Sequence, residues 1–174
     1  YEGIAFQYSY HILNKDGSIE HKNQFLSTDN SFPNYQFLES LMNDLDGKEG
    51  TIFRYHNHEN SFLNTIYQQL LEEKDILVPN KEKLLAFVER IAKPNSNLSA
   101  MWKKGDYCMV DLYELVLSYY YPPNAKGSNS IKAILPAVIN DSELIRNKYS
   151  NAIYGTSEIP SLNFENHSWI NEKS

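Results

Sequence analysis

Hydrophobic and polar residues alternate over the beginning of the chain. Between residues 3 and 13, aromatic and branched residues recur at every second position, which is the period of a β-strand. Polar residues 14–17 follow and end in Gly17, a residue that readily takes the positive φ of a tight turn. Residues 19–26 then return to a strand-like composition. The pattern predicts an N-terminal β-hairpin.

Downstream, the hydrophobic residues mostly follow the 3.6-residue period of helices, interrupted by two short apolar stretches. The predicted strands cover residues 51–55 and 107–110, the second of which leads into Asp111. A hairpin followed by β-α units predicts an α/β fold in which a mixed sheet is flanked by helices. The predicted helices cover residues 35–45, a segment that starts near residue 60, residues 81–91, residues 112–121, a short segment from Ile131, and a segment to about Tyr149 with Asn140 and Glu143 as a capping box. Residues 150–174 are predicted to form an irregular tail.

The composition is that of a globular protein. The chain has 174 residues, of which 41% are hydrophobic and 22% charged, and this size predicts a single domain over residues 1–174. No apolar run reaches the roughly 20 residues of a membrane span. A single cysteine, Cys108, excludes an internal disulfide and a multi-cysteine zinc site. Its apolar surroundings predict a buried, inert thiol. We expect a cytoplasmic protein without a membrane partner.

Charged residues are unevenly distributed along the chain. The net charge is −6, which argues against a protein that coats nucleic acids. Residues 1–89 contain 7 basic and 14 acidic side chains, whereas residues 90–148 contain 8 basic and 5 acidic ones. The basic middle segment is therefore available to an anionic partner, although a solvated surface is the commoner explanation of such charges.

Two acidic residues follow the two short predicted strands. Glu59 lies in the first turn after residues 51–55 and shares its helix face with apolar residues, so we expect it to point towards the end of the sheet. Asp111 ends the second strand, at the kind of edge where open α/β sheets bind ligands. Carboxylates on adjacent strand ends can hold a divalent cation for phosphoryl transfer. A helix-dipole role for Glu59 and a helix N-cap role for Asp111 are the structural alternatives.

The run at residues 56–60 also supports a different chemistry. His56 and His58 stand two residues apart, and two imidazoles at this spacing can ligate Zn²⁺. A zinc hydrolase needs a third ligand, for which the remaining histidines are candidates by residue type alone. Those histidines are His11, His21 and His167. Ordinary polar contacts are the alternative role for His56 and His58.

A small, polar and basic segment opens the helix at Ile131. Its N–H groups, hydroxyls and two lysines are suited to gripping a phosphate. It lacks the spacing of a Walker loop, and a serine cap with solvated lysines is the alternative. The side chains concerned are Lys126, Ser128, Ser130 and Lys132. Upstream, residues 119–121 are three tyrosines, which we expect mainly in the core, with base stacking as the minority case.

Four runs of the sequence resemble a known family. They are YEGIAFQYSYH at residues 1–11, FRYHNHEN at residues 53–60, MVDL at residues 109–112 and KGSNSIKAILP at residues 126–136. The runs resemble an uncharacterised bacterial domain-of-unknown-function family, which is placed in the ribonuclease H-like superfamily near the DEDD 3′–5′ exonucleases. The resemblance extends over essentially the whole chain. It implies a ribonuclease H-like fold and a nuclease that hydrolyses DNA or RNA with Mg²⁺ or Mn²⁺.

The resemblance also implies roles for single residues. Glu59 would stand for the acid of the second exonuclease block, and Asp111 for an acid at the neighbouring sheet end. Both would be catalytic residues that bind the metal. His56, His58 and Asn60, together with the basic segment at residues 126–132, would contact the nucleic acid.

Other parts of such a nuclease site are missing from the sequence. The Asp-x-Glu block is absent from the first strand, so we expect it upstream of Tyr1, where the chain begins without an initiator methionine. The last acid is expected downstream of Ser174. We therefore expect a domain truncated at both ends and inactive alone.

Two other functions remain open. The first is a catalytically inactive module that binds nucleic acid or acts as a scaffold. The second is a zinc-dependent hydrolase that uses His56 and His58. The oligomeric state is not indicated by the sequence.

Overall fold

The described part of the chain, residues 3–170, contains six helices and two small sheets in the computed structural model. The strands are β1 (Gln7–Leu13), β2 (Ile19–Leu26), β3 (Phe53–Arg54) and β4 (Val110–Asp111). The helices are α1 (Asn34–Leu45), α2 (His58–Glu72), α3 (Lys81–Ile91), α4 (Leu112–Tyr119), α5 (Ile131–Asp141) and α6 (Glu143–Ser150), and a 3₁₀ turn covers Pro123–Ala125. Residues 1–2, which begin the first family-like run, and residues 171–174 of the predicted tail lie outside this part.

Most predicted elements are present, with changes at their ends. β2 and α3 have the predicted bounds, and α1 begins one residue early, at Asn34, directly after Pro33. Gly17 takes a φ of +84° in the predicted turn of the hairpin. β3 and β4 are only two residues long, shorter than the predicted strands at residues 51–55 and 107–110.

The last two helices differ from the prediction. α5 is longer than expected and continues through Pro136. The predicted capping box of α6 is wrong, because Asn140 belongs to α5. The N-cap is Ser142, whose Oγ accepts the N–H of Ile145 at 3.3 Å. A serine one residue before the helix satisfies an N-terminal N–H group that would otherwise lack a partner.

Residues 3–6 were predicted as strand, and side-chain amides replace the strand pairing there. The amide of Asn34 is fully buried, and its Oδ1 accepts the N–H of Ala5 at 2.7 Å. Its Nδ2 donates to the carbonyl of Gly3 at 2.9 Å and to Oε1 of Gln69 at 2.6 Å. The start of the chain is thus fixed to α1 and α2, and β1 begins only at Gln7.

The chain divides into two compact units. Unit 1 comprises Tyr1–Tyr8 and Phe25–Leu115, and unit 2 comprises Ser9–Gln24 and Val116–Ser174. The core of unit 1 lies where α2 packs against α1 and α3. Its fully buried side chains each stabilise the fold by about 1.5–3 kcal/mol through removal of apolar surface from water. They include Leu38, Ile66, Leu70, Leu84 and Val88.

β3 and β4 form a parallel pair inside unit 1. Phe53 lies opposite Val110 and Arg54 opposite Asp111. The N–H of Val110 also donates to the carbonyl of Ile52 at 2.8 Å, and the preceding N–H of Met109 donates to the last carbonyl of α3 at 2.8 Å. β4 is therefore tied both to β3 and to the end of α3.

Unit 2 contains a small helical core and a folded tail. Ala125, Ile134 and Ala137 pack together between the 3₁₀ turn and α5. In the tail, Tyr154 forms isolated β-bridges with Ile159 and His167. The predicted irregular tail thus lacks long strands but has fixed backbone contacts.

The fold is a mixed α/β arrangement with the β-hairpin first, as predicted. In residues 3–170 the hairpin and the β3–β4 pair are two separate sheets of two strands each, so the predicted single mixed sheet is not formed there. Among these residues, the helices lack the length and apolar content that crossing a membrane requires.

Gly155 lies in the tail at a position that has no room for a side chain. Its φ is +82°, and a Cβ added there would overlap the backbone carbonyl of Phe164. Gly155→Ala should therefore lower the free energy of unfolding by more than about 2 kcal/mol, through backbone strain and overlap together. The matched control is Gly17→Ala, at φ +84° with open space around the glycine, which carries the strain alone. Urea denaturation measures both, and equal losses would contradict the packing argument.

Candidate functional site

The carboxyl ends of β3 and β4 form the edge to which both predicted acids belong. The strands run parallel, so both chains leave the sheet in the same direction. α2 begins four residues after Arg54, and α4 begins directly after Asp111. The loop at residues 55–57, the first turn of α2 and the start of α4 are thus brought to one edge, as in open α/β sheets that bind ligands there.

The carboxylate of Asp111 is held by three neighbours. Its Oδ2 lies 2.8 Å from Nη1 of Arg54, and the two side chains are only 12% and 9% exposed. Its Oδ1 accepts the N–H of His56 at 2.8 Å and the N–H of Tyr113 at 3.0 Å. The bond to Tyr113 caps α4, which is the structural alternative offered by the sequence. A metal-binding role for Asp111 stays a prediction.

The loop after β3 has an unusual backbone at His56. Its φ is +67°, which is uncommon for any residue but glycine. Arg54 donates through Nη1 to the His56 carbonyl, while Asp111 accepts the His56 N–H. The imidazole also meets the ring of Tyr113 edge to face, at 4.6 Å between centroids. These contacts hold the strained conformation and leave His56 exposed.

Arg54 is the residue of this edge that the sequence prediction missed. Its Nε is buried and has no hydrogen-bond partner within residues 3–170. The signal was present in the sequence, because a basic residue inside a short apolar strand must find an acidic partner when buried. Asp111 was the acid already predicted at a neighbouring strand end. The same surroundings act on Tyr55, whose pKa is raised by burial and by the nearby Tyr113 and Asp111.

Glu59 lies in the first turn of α2 and is exposed. Its spacing, four residues before the buried Leu63, keeps it on the side of the apolar residues, but at this end of the helix the side chain is exposed. Its direction towards the end of the sheet stays a prediction. No hydrogen bond or ion pair engages the Glu59 carboxylate in the described residues. The helix N-terminus favours its negative charge. Glu59 is therefore available to a cation from solvent, and its metal-binding role stays a prediction.

Asn60 is buried and has a structural task. Its Oδ1 accepts the N–H of Lys93 at 2.8 Å, and its Nδ2 donates to the carbonyl of Lys93 at 2.9 Å. Asn64, one turn later, donates to the same carbonyl at 3.0 Å and accepts the N–H of Asn95 at 2.8 Å. The two amides fix the segment after α3 to α2. Contact between Asn60 and substrate stays a prediction, since both ends of its amide are already bonded.

The two histidines of the zinc hypothesis are both exposed at the start of α2. Within residues 3–170, no group of three or more His, Cys, Asp and Glu side chains is placed to hold a metal ion. The other histidines, His11, His21 and His167, belong to unit 2. A transition-metal site at His56 and His58 thus has no third protein ligand in the described chain.

The predicted phosphate-binding segment belongs to unit 2. Lys126, Ser128, Ser130 and Lys132 are all exposed. Lys126 has a φ of +50° after the 3₁₀ turn, and the Ser128 hydroxyl lies 3.3 Å from that of Ser130. Ser130 is the N-cap residue of α5, but its side chain makes no capping bond. The Ser128 hydroxyl also accepts the N–H of Ser130 at 3.4 Å, so the segment is exposed but partly bonded within itself, and phosphate binding stays a prediction.

The tyrosines at residues 119–121 are not core residues. Tyr119 is 85% exposed, Tyr120 41% and Tyr121 76%. The expectation of burial is wrong because α4 ends at Tyr119 and buries none of its residues. These rings are thus accessible in unit 2.

Cys108 is buried, as predicted, at 7% exposure. It precedes β4 in a bend rather than inside a strand. Burial raises the pKa of its thiol, although Lys104, Arg54 and Lys93 partly oppose this effect. A thiol that stays protonated at neutral pH is a poor nucleophile.

The Arg54–Asp111 pair predicts a large effect of Asp111→Ala on stability. The substitution should lower the free energy of unfolding by about 3 kcal/mol, because the buried guanidinium loses its counter-charge. Asp46→Ala is the matched control. Its ion pair with Arg90 at 2.6 Å is 62% and 32% exposed, so the loss should stay below about 1 kcal/mol. Urea denaturation at pH 7 measures both, and equal losses would refute the ion pair as the link between the strand ends.

Asn60→Ala should also destabilise the fold. We expect a loss of about 2 kcal/mol, because the N–H and carbonyl of Lys93 lose their partners. Asn57→Ala is the control, since Asn57 is exposed and makes no capping bond, and it should change stability by about 0.5 kcal/mol or less. Thermal unfolding compares the two, and an Asn60→Ala protein as stable as the Asn57→Ala protein would remove the structural role.

Comparison with known proteins places the chain in a family. The family model for the domain of unknown function DUF2779 matches residues 1–130, which is most of the chain. No curated protein and no solved structure matches it. The matched range includes β3, β4 and α2, and therefore the whole edge formed by Arg54, Glu59 and Asp111. The chain belongs to the DUF2779 family of domains of unknown function.

Proposed function

We propose that the chain is part of a ribonuclease H-like nuclease that hydrolyses phosphodiester bonds of DNA or RNA with Mg²⁺ or Mn²⁺. One observation carries the proposal: Glu59 and Asp111 follow two adjacent parallel strands and belong to the same edge of a sheet. Oxygen ligands at such an edge suit divalent cations and phosphoryl transfer. The family-like runs at residues 53–60 and 109–112 support the same assignment.

The residues present fit a magnesium ion that is only partly held by protein. Mg²⁺ is commonly bound by one or two carboxylates, with water and substrate phosphates completing its shell. Glu59 offers a carboxylate without a partner among residues 3–170. Asp111 offers the fourth of about four acceptor positions, since three are filled. When bound, the ion would activate water and stabilise the leaving oxygen.

The protein's own groups would position the substrate. The exposed imidazoles of His56 and His58 lie beside Glu59 in sequence and can donate to phosphate oxygens. In unit 2, Lys126, Lys132 and the two serine hydroxyls would bind the phosphate backbone. A cytoplasmic location is compatible with such a substrate and stays a prediction.

The Arg54–Asp111 pair favours a second candidate, a catalytically inactive module that binds nucleic acid. A guanidinium at 2.8 Å neutralises the aspartate and weakens its attraction for a cation. The strained loop at His56 and the exposed basic segment would then serve binding alone. This candidate predicts nucleic-acid binding without cleavage.

Glu59→Gln separates the two candidates. In the natural protein, we expect the variant to lower Mn²⁺-dependent cleavage of labelled single-stranded DNA or RNA at least about 100-fold, with binding unchanged. Glu82→Gln is the matched control, since Glu82 is an exposed acid in the first turn of α3, and it should cleave normally.

Each outcome of this assay has a clear meaning. Equal activity of Glu59→Gln and wild-type protein would refute the metal-ligand role. Binding without metal-dependent cleavage by the wild-type protein would replace the nuclease with the inactive module. Stoichiometric zinc in the purified protein, found by elemental analysis, would point instead to the zinc hydrolase.

The basic segment is tested by its salt dependence. Lys126→Ala with Lys132→Ala should weaken nucleic-acid binding and reduce the slope of log K against log salt by about two, one for each lost phosphate contact. Lys15→Ala, in the exposed hairpin turn, is the control and should leave the slope unchanged. An unchanged slope in the double variant would remove these lysines from the interface.

A further inference from the structure

His21 is a buried imidazole in unit 2, with 6% of its surface exposed. Its Nδ1 accepts the N–H of Leu162 at 3.1 Å and lies 3.4 Å from the Ser161 hydroxyl. Because a backbone N–H can only donate, Nδ1 carries no proton and the neutral ring is protonated at Nε2. That Nε2 is buried without a hydrogen-bond partner in residues 3–170. The backbone N–H of His21 also donates to Pro160 at 3.2 Å.

His11 lies against His21 and binds the same tail. The two rings are stacked with centroids 4.7 Å apart and planes inclined by 27°. Nε2 of His11 is 2.6 Å from the Tyr154 hydroxyl. Burial, and next the neighbouring His21, lower the pKa of His11 from its ordinary value of 6.5. Each strand of the hairpin thus contributes one histidine that bonds the tail: His11 contacts Tyr154, and His21 contacts Leu162.

No acid compensates a positive charge at this pair. The titratable side chains that bond or stack on the two rings in residues 3–170 are Tyr154 and the rings themselves. Glu20 is the nearest acid along β2, and it pairs with Lys22 at 3.0 Å. In the tail, Glu158 pairs with Lys148 at 3.6 Å. A protonated imidazole of His21 would therefore be buried without a counter-charge, whereas His11 is exposed.

We propose that His11 and His21 form a proton-sensitive clasp, which holds residues 154–162 on the hairpin at neutral pH and releases them on acidification. A proton on Nδ1 of His21 would turn the acceptor of the Leu162 N–H into a second donor. Protons on both rings would place two imidazolium ions 4.7 Å apart. The clasp does not depend on the proposed nuclease function.

The direction of the pH effect follows from the contacts of His21, where a proton would break the buried bond from the Leu162 N–H, and the lowered pKa of His11 acts in the same direction. A histidine kept neutral by the fold binds fewer protons folded than unfolded at pH values below about 6.5, so the tail loses stability as the pH falls. Above this pH both forms are neutral and the clasp contributes its full stability. The effect of one such group is at most about tenfold in the opening equilibrium per pH unit.

Hydrogen exchange at single amides tests the clasp in the 174-residue chain. Between pH 7.5 and 5.0, after correction for intrinsic exchange, the protection of the Leu162 amide should fall at least about fivefold. The Ile134 amide, bonded to Ser130 at 2.9 Å inside the same unit, should keep its protection. Unchanged protection of Leu162 would overturn the proposal.

Two variants identify the responsible group. His21→Asn keeps an acceptor near the Leu162 N–H but cannot be protonated, so its Leu162 protection should change less than about twofold over the same range. His167→Asn is the matched control. This ring packs on Phe164 and Trp169 without bonding the hairpin, so the variant should keep the wild-type response. A wild-type response in His21→Asn would overturn the proposal.

A measurement on the wild-type protein covers the case in which His21→Asn does not fold. The ¹⁵N chemical shifts of the imidazole report which nitrogen carries the proton. At pH 7.5 they should show His21 protonated at Nε2 alone. A proton on Nδ1 at this pH would contradict the hydrogen bond from Leu162 on which the clasp depends.

Discussion

The edge of the β3–β4 sheet depends on one ion pair, because the two strands are too short to stay paired through backbone hydrogen bonds alone. Two residues on each strand allow few backbone hydrogen bonds, and Arg54 and Asp111 lie opposite each other in the last register position. The pair links the strand ends, and its two partners also bond the backbone of His56 from both sides. One interaction thus sets the strand register, the loop conformation and the start of α4.

Side-chain amides play a similar part elsewhere in unit 1. Asn34, Asn60 and Asn64 are all buried and bond backbone groups that neither a helix nor a sheet satisfies. Buried backbone groups without partners are costly, so irregular segments need such bonds in order to pack. The unit is therefore held by apolar helix faces together with a few buried amides that bond the backbone of irregular segments.

The local hydrophobic pattern was sufficient to predict an element where one apolar face of that element determines its structure. The bounds of α3 were predictable because its apolar residues repeat at the helical period without a competing signal, and β2 was predictable because it follows the turn at residues 14–17. The exposure of Glu59 was not, because its spacing matches that of the buried Leu63 and Ile66. The burial of the polar Asn60 is likewise explained only by its partner at Lys93. Arg54 and Asp111 are far apart in sequence, and so are Asn60 and Lys93. Such pairings depend on the tertiary fold, which the period of a single segment does not specify.

Unit 2 is formed by two separate segments of the chain, which the ribosome synthesises at different times. Unit 2 joins residues 9–24 to a segment that begins only at Val116, with most of unit 1 encoded in between. The contacts from His11 to Tyr154 and from His21 to Leu162 span 143 and 141 residues. At about 5–20 residues per second, the hairpin waits on the order of ten seconds for its partners on the ribosome. During that interval its histidine face is open to solvent and to chaperones, so this protein has a nascent state that its finished fold conceals.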